Sequence, residues 1–149
     1  MRAVVQRVDK AIVKVNDRIV SDISKGMLVF LGIEKGDDFS DADFLLEKVI
    51  NLRIFEDEEG KMNRSLSDIS GEMLVVSQFT LLGDCRKGRR PSFTSAEDPE
   101  RSNILYSHFI NQASERIPVV KSGIFQAMMK VSLVNDGPVT MLLDSKRLF

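Results

Sequence analysis

At 149 residues, 43% of them hydrophobic and 29% charged, the chain has the balance of one globular domain with its own core. Its net charge of −1 excludes a uniformly basic polyanion binder, so any nucleic-acid contact has to come from a local patch. The single cysteine, Cys85, excludes an intramolecular disulfide framework and a zinc site of several thiolates. Arg2 and Arg7 break the apolar start, unlike a signal peptide, and no run approaches the ~18 apolar residues of a membrane-spanning helix. The expectation is a cytoplasmic domain.

In chain order, Ala3–Val8 and Ala11–Val15 are β-branched runs that read as strands. Asn16-Asp17 is a turn into Arg18-Ile19-Val20. Met27–Ile33 is continuously apolar, which predicts a strand covered on both faces. A helix is predicted over Asp41–Leu52, capped by Ser40, with Phe44, Leu45, Val49 and Leu52 as its stripe. Arg53-Ile54-Phe55 reads as a strand leading into a hairpin-like turn at Asp57–Lys61. Met73–Leu82 is the strongest predicted strand, followed by a loop over Gly83–Pro91. A second helix starts at Pro99 with Asp98 as cap, buries Leu105, Phe109 and Ala113, and stops before Pro118. Ile124–Val134 and Val139–Leu143 are predicted strands separated by a sharp turn at Asn135–Pro138. The order predicts one mixed α/β domain with sheet layers and helices on one side.

The usual catalytic inventory is thin. His108, the one histidine, falls mid-helix with no sequence-level partner, and Cys85 has basic neighbours but no evident base. The carboxylates gather in turns such as Glu56–Glu59, where solvated charge suffices as an explanation. No metal-ligand spacing, phosphate loop or dinucleotide glycine pattern occurs, so neither metal nor cofactor is expected. An enzyme built this way has to work through backbone amides, hydroxyls or the substrate itself.

Three polar segments interrupt apolar strands. Ser77-Gln78-Phe79-Thr80 closes the strongest strand, where side chains either satisfy backbone groups or face a ligand. Arg86-Lys87-Gly88-Arg89-Arg90 places four cations in a glycine- and proline-bracketed loop, either a solvated face or a phosphate-binding patch. Asn135-Asp136-Gly137-Pro138-Val139-Thr140 suits a tight turn, and its Gly-Pro pair can also take a cis bond.

These segments, in this order, closely resemble the D-aminoacyl-tRNA deacylase family. Ser77–Leu81 reproduces its Ser-Gln-Phe-Thr-Leu signature and Asn135–Thr140 its Asn-x-Gly-Pro-Val-Thr signature. The likeness extends through Val5–Val8, Leu52–Phe55, Glu59–Asn63 and Arg89–Phe93, leaving out only Asp144–Phe149. It implies a layered β/β/α sandwich of mixed sheets, with two main helices on one face, assembled as a homodimer. It also implies hydrolysis of the ester between a D-amino acid, or glycine, and the 3′-terminal adenosine of tRNA.

By the same resemblance Ser77, Gln78, Phe79 and Thr80 form the catalytic wall, with the backbone around Phe79 and Thr80 stabilising the oxyanion. The tRNA 2′-hydroxyl then assists an attacking water. Gly137-Pro138, expected in cis, would act across the dimer as a chirality filter that excludes L side chains. Phe125, Met129, Asn135, Val139, Thr140 and Arg7 would surround the adenosine and substrate. Arg86, Lys87, Arg89 and Arg90 would contact tRNA phosphates, and neither DNA nor a membrane is an expected partner. Gln126 and Met128 depart from the family pattern of a small residue and an acid. A non-catalytic RNA-binding module with the same cleft and basic loop is the competing reading, and a small-molecule esterase using Cys85 or His108 is a further one.

Overall fold

The computed structural model describes residues 1–148. Strand β1 (Arg2–Val15) is a single fourteen-residue strand where two were predicted. Asn16 and Asp17, both in the left-handed region, turn it into β2 (Arg18–Ile23). β3 (Gly26–Gly32) follows, buried along nearly its whole length as its unbroken apolar run implies.

Helix α1 spans Phe39–Ile50, two residues earlier than predicted. Its cap is Asp38, not Ser40. The Asp38 carboxylate accepts from the Ser40 and Asp41 amides, and Asp41 reciprocates to the Asp38 amide, forming a capping box. A short hairpin of β4 (Phe55–Glu56) and β5 (Met62–Arg64) comes next.

Strand β6 runs only from Glu72 to Ser77, and Phe79–Leu82 winds into a 3-10 turn instead of continuing the predicted strand. The reason is the partner: β6 pairs in parallel with β3 as far as Leu31–Ser77, and the last ladder bond is Gln78 N–H to Leu31 O at 2.8 Å. Beyond it no neighbouring strand takes the amides, so the chain folds onto itself.

Helix α2 (Pro99–Ser114) starts where predicted, with Asp98 accepting from the Arg101 amide and proline in the first turn. Leu105, Tyr106, Phe109 and Ala113 form its buried stripe, whereas Ile104 points out. β7 (Val120–Ser122) leads to β8 (Met129–Asp144).

The sheet order is β2-β1-β3-β6-β7, and β8 pairs with the other edge of β1. Ser21 Oγ donates to the Ser122 carbonyl and Lys121 pairs with Asp22, drawing β2 toward β7 and nearly closing a barrel. The two expected sheet layers are therefore one mixed sheet curled on itself. Val8, Ala11, Val13, Leu28, Leu74 and Val76 fill its inside. Val5, Val29, Met73 and Val75 point the other way, against Leu45, Val49, Leu105 and Phe109 of the helices.

The Met1 amine is wholly buried and stands 2.8 Å from Asp37, itself wholly buried. Residues 144–146, expected as a tail, are tied to this end: Asp144 pairs with Arg2, Ser145 N–H donates to Met1 O, and Lys146 reaches Glu34. Phe149 lies outside the described residues.

Candidate functional site

A cleft of about 550 Å³ opens where β6 ends against the start of α2 and the loop before β8. Ser77, Gln78 and Phe79 form one wall and Phe125, Gln126, Met128 and Met129 the other, with Leu31, Ile33 and Val76 as apolar floor. Two segments separated by about a third of the chain thus meet. Thr80 lies just outside the lining, its Oγ1 accepting from the Gln78 amide side chain. The 3-10 turn sets the amides of Phe79 and Thr80 at a helical start, where N–H groups have no intrahelical acceptor. Such amides can serve an anionic oxygen.

Gln126 occupies the left-handed region at φ 62°, a conformation that favours glycine. Met128 is 90% exposed at the cleft lip. The two departures from the family pattern therefore both sit on the cleft wall.

Tyr106, Glu97 and Ser102 belong to this site and were not singled out from the sequence. Glu97 and Ser102 line the cleft from the α2 end. The Tyr106 hydroxyl donates to the Val75 carbonyl at 2.8 Å, and its ring lies 5.7 Å from that of Phe125. The same carbonyl accepts the Gly123 amide at 2.9 Å, so helix, strand and loop converge on one acceptor. Only the place of Tyr106 next to Leu105 on the helix stripe could have signalled it. Burial pushes the Tyr106 phenol up to about 12, against 10.0 for a free tyrosine. Between those values the unfolded chain has already lost this proton and the folded chain has not, so stability falls as pH rises through the window. Tyr106→Phe is expected to flatten that fall in alkaline unfolding curves.

Arg7, Asn135, Val139 and Thr140 do not line this cleft within the protomer, unlike Phe125 and Met129. They hold the Gly137-Pro138 loop instead. Arg7 Nε stands 2.8 Å from an Asp136 carboxylate oxygen and 3.2 Å from its carbonyl, and the guanidinium also donates to Ile54 O. Asn135 Nδ2 donates to Arg7 O at 2.8 Å and to Val139 O at 3.1 Å. Val139 is buried in the core, and Thr140 accepts from Gln6.

The predicted sharp turn at Asn135–Pro138 is no reversal. β8 stays antiparallel to β1 on both sides of it, from Met129–Val15 to Asp144–Arg2, and the extra residues bulge out opposite Arg7. The Gly137-Pro138 bond is cis, and both residues are exposed. Beside this loop a polar cavity of about 770 Å³ is lined by Arg7, Asp9, Glu56, Arg64, Glu72 and Asp136.

In the basic loop, Arg86 folds back on Asp84, with bonds of 2.9 and 2.7 Å, and this pairing lowers the Asp84 carboxyl to about 2. Lys87, Arg89 and Arg90 are exposed and, among the described residues, form no ion pair. His108 lies away from the cleft, 2.6 Å from Asp43 and edge-on to Phe39. Among the described residues no group of three or more His, Cys, Asp or Glu is placed to hold a metal ion, and no helix is long and apolar enough to cross a membrane.

Known proteins resemble this chain in sequence and in fold. A D-aminoacyl-tRNA deacylase of Petrotoga mobilis is 61% identical over the full length of both chains. One of Clostridium acetobutylicum is 52% identical, again over both full lengths. A solved structure named c-Myc DNA Unwinding Element Binding Protein superposes with a TM-score of 0.92 at 41% identity, covering 97% of this chain and 98% of that one. A probable eukaryotic D-amino acid tRNA deacylase shares the fold with a TM-score of 0.82 at 20% identity, over 96% of this chain and 98% of its own. Residues 4–144 match the family described as D-Tyr-tRNA(Tyr) deacylase, and the chain belongs to that family.

Proposed function

We propose that this protein hydrolyses the ester between a D-amino acid and the 3′-terminal adenosine of tRNA, as a homodimer in the cytoplasm. Water adds to the ester carbonyl, assisted by the ribose 2′-hydroxyl, while the Phe79 and Thr80 amides hold the oxyanion. The acyl–oxygen bond then breaks, releasing the free amino acid and the tRNA 3′-hydroxyl. Phe125 and Met129 wall the adenosine, and Lys87, Arg89 and Arg90 meet the phosphates of the acceptor end.

The observation that carries the reading is the separation of two signature segments. The cleft wall Ser77–Phe79 and the exposed Gly137-Pro138 loop do not meet within the protomer. A second copy brings them together, its loop entering this cleft as the filter that rejects L side chains. Two features support a second copy: among the described residues β8 pairs only along β1, and Phe30, Met129, Val131 and Leu133 are only partly covered.

The direct test compares D-tyrosyl-tRNA with L-tyrosyl-tRNA in the presence of a chelator. Loss of the D-ester alone is the expected result. Tight tRNA binding with neither ester cleaved would leave a non-catalytic RNA-binding module.

Gly137→Ala probes the dimeric filter. A Cβ at Gly137 meets nothing within 4 Å in the protomer, so the variant's melting temperature should stay near the parent's. In a partner's cleft the same methyl would displace the ester by about an ångström, and D-tyrosyl-tRNA turnover is expected to drop about 10²-fold. Undiminished turnover would place the loop outside the cleft.

A further inference from the structure

Beside the cleft, the lining ring of Phe79 packs on a second ring, Phe93, outside the lining, and the reaction scheme leaves both rings largely unused. Phe79 and Phe93 pack edge to face, centroids 5.1 Å apart at 67°, yet remain 59% and 36% exposed. Their positions are built in. A Cβ on Gly83 would stand 2.9 Å from Phe93 Cε1, so only glycine lets the ring lie against the backbone there. Asp84 and Ser92 exchange two backbone hydrogen bonds, 2.7 and 3.0 Å, which pin the neck of the basic loop immediately before Phe93. The rings thus lie between the cleft, which Phe79 lines, and the unpaired cations of the loop.

We propose that Phe79 and Phe93 form a stacking platform for the unpaired nucleotide immediately 5′ of the terminal adenosine, with Lys87, Arg89 and Arg90 on the phosphates beyond it. The proposal rests on the deacylase reading for the adenosine's place in the cleft. Aromatic faces beside a cationic strip are the chemistry that holds single-stranded RNA, because every base offers a π-face and every nucleotide a charge. A second copy of the chain is a poorer occupant. It would have to bury or pair three free cations beside the rings, and the partly covered apolar residues of the sheet lie on β8 and β3 instead.

The test is binding of uncharged tRNA, intact or abasic at that nucleotide, by fluorescence anisotropy with wild-type protein, Phe93→Leu and Phe93→Tyr. Because it needs no turnover, its outcome is separate from that of the D-tyrosyl-tRNA assay. The abasic change is expected to weaken wild-type binding roughly tenfold. Phe93→Leu should cost about the same on intact tRNA and little more on the abasic form, and Phe93→Tyr should retain tight binding. Equal wild-type affinity for intact and abasic tRNA would overturn the proposal, and this arm decides even if Phe93→Leu does not fold. Additive losses would also overturn it, since Phe93 would then only brace the turn. Dissociation of a dimer by Phe93→Leu would assign the rings to a second copy.

Discussion

On a D-tyrosyl-tRNA whose terminal ribose lacks the 2′-hydroxyl, turnover is expected to fall by about 10²–10⁴-fold, the usual worth of a positioned proton-transfer group. The wall Ser77–Phe79 supplies a serine hydroxyl, an amide side chain, a phenyl ring and backbone amides, and the Glu97 carboxylate at the α2 end of the cleft is engaged by Arg101 at 3.4 Å and by the Gly36 and Asp98 amides. His108 is held by Asp43 on the outer side of the helix pair, and Cys85 is exposed in the basic loop. In the proposed scheme the proton of the attacking water is handled by the substrate. Replacing His108 or Cys85 by alanine should change turnover by less than about twofold, well within what a residue remote from the chemistry costs. Single-turnover rates on the ribo and deoxy substrates give the comparison. Equal rates would remove the 2′-hydroxyl from the mechanism and make the Ser77 hydroxyl the group to examine. Loss of activity in Cys85→Ala or His108→Ala would restore a side-chain esterase.

The largest stability effect is expected at Asp37. Its carboxylate faces the buried Met1 amine at 2.8 Å, accepts the Glu34 amide at 2.6 Å, and has Lys146 at 3.5 Å from its second oxygen. Among the described residues that second oxygen has no hydrogen-bond partner, so the Lys146 contact is an ion pair at long range only. Removing the carboxylate leaves an ammonium in the core with Ser145 Oγ as its remaining acceptor. An uncompensated buried charge of this kind costs about 3–5 kcal/mol. At this chain length that corresponds to roughly 6–20 °C in Tm. Asp37→Ala should show the full loss in thermal denaturation and Asp37→Asn a smaller one, because an amide oxygen can still accept from the amine. A fall below about 3 °C in both would mean that water reaches the amine.

Some elements were legible because local chemistry decides them. An unbroken apolar run has no solvent face to offer, so β3 was readable as doubly covered. Asp98-Pro99 marked the start of α2 because proline suits a position whose N–H is unpaired anyway. The start of α1 was harder. Asp38, Ser40 and Asp41 are all competent caps, and only the reciprocal bonds between Asp38 and Asp41 select one. The end of β6 was unreadable, since Phe79-Thr80-Leu81-Leu82 has strand-like composition. What stops the strand is the last paired residue of β3, which is far away in sequence.

The sequence by itself determined the mixed α/β composition, both helices, the thin side-chain inventory and the two signature segments. Tertiary structure alone decided how those segments are used. Turn-forming residues at Asn135–Pro138 specify a local bend, and a bend can be a reversal or a bulge. Because β1 offers fourteen residues of continuous edge, β8 runs on past the bend, and Asp136, Gly137 and Pro138 are pushed out over Arg7. The loop is thereby held clear of the cleft in its own chain, since pairing along β1 fixes both flanks while the 3-10 turn places Phe79 at another end of the sheet. No periodicity or motif encodes that separation, which arises from strand register summed over the whole barrel.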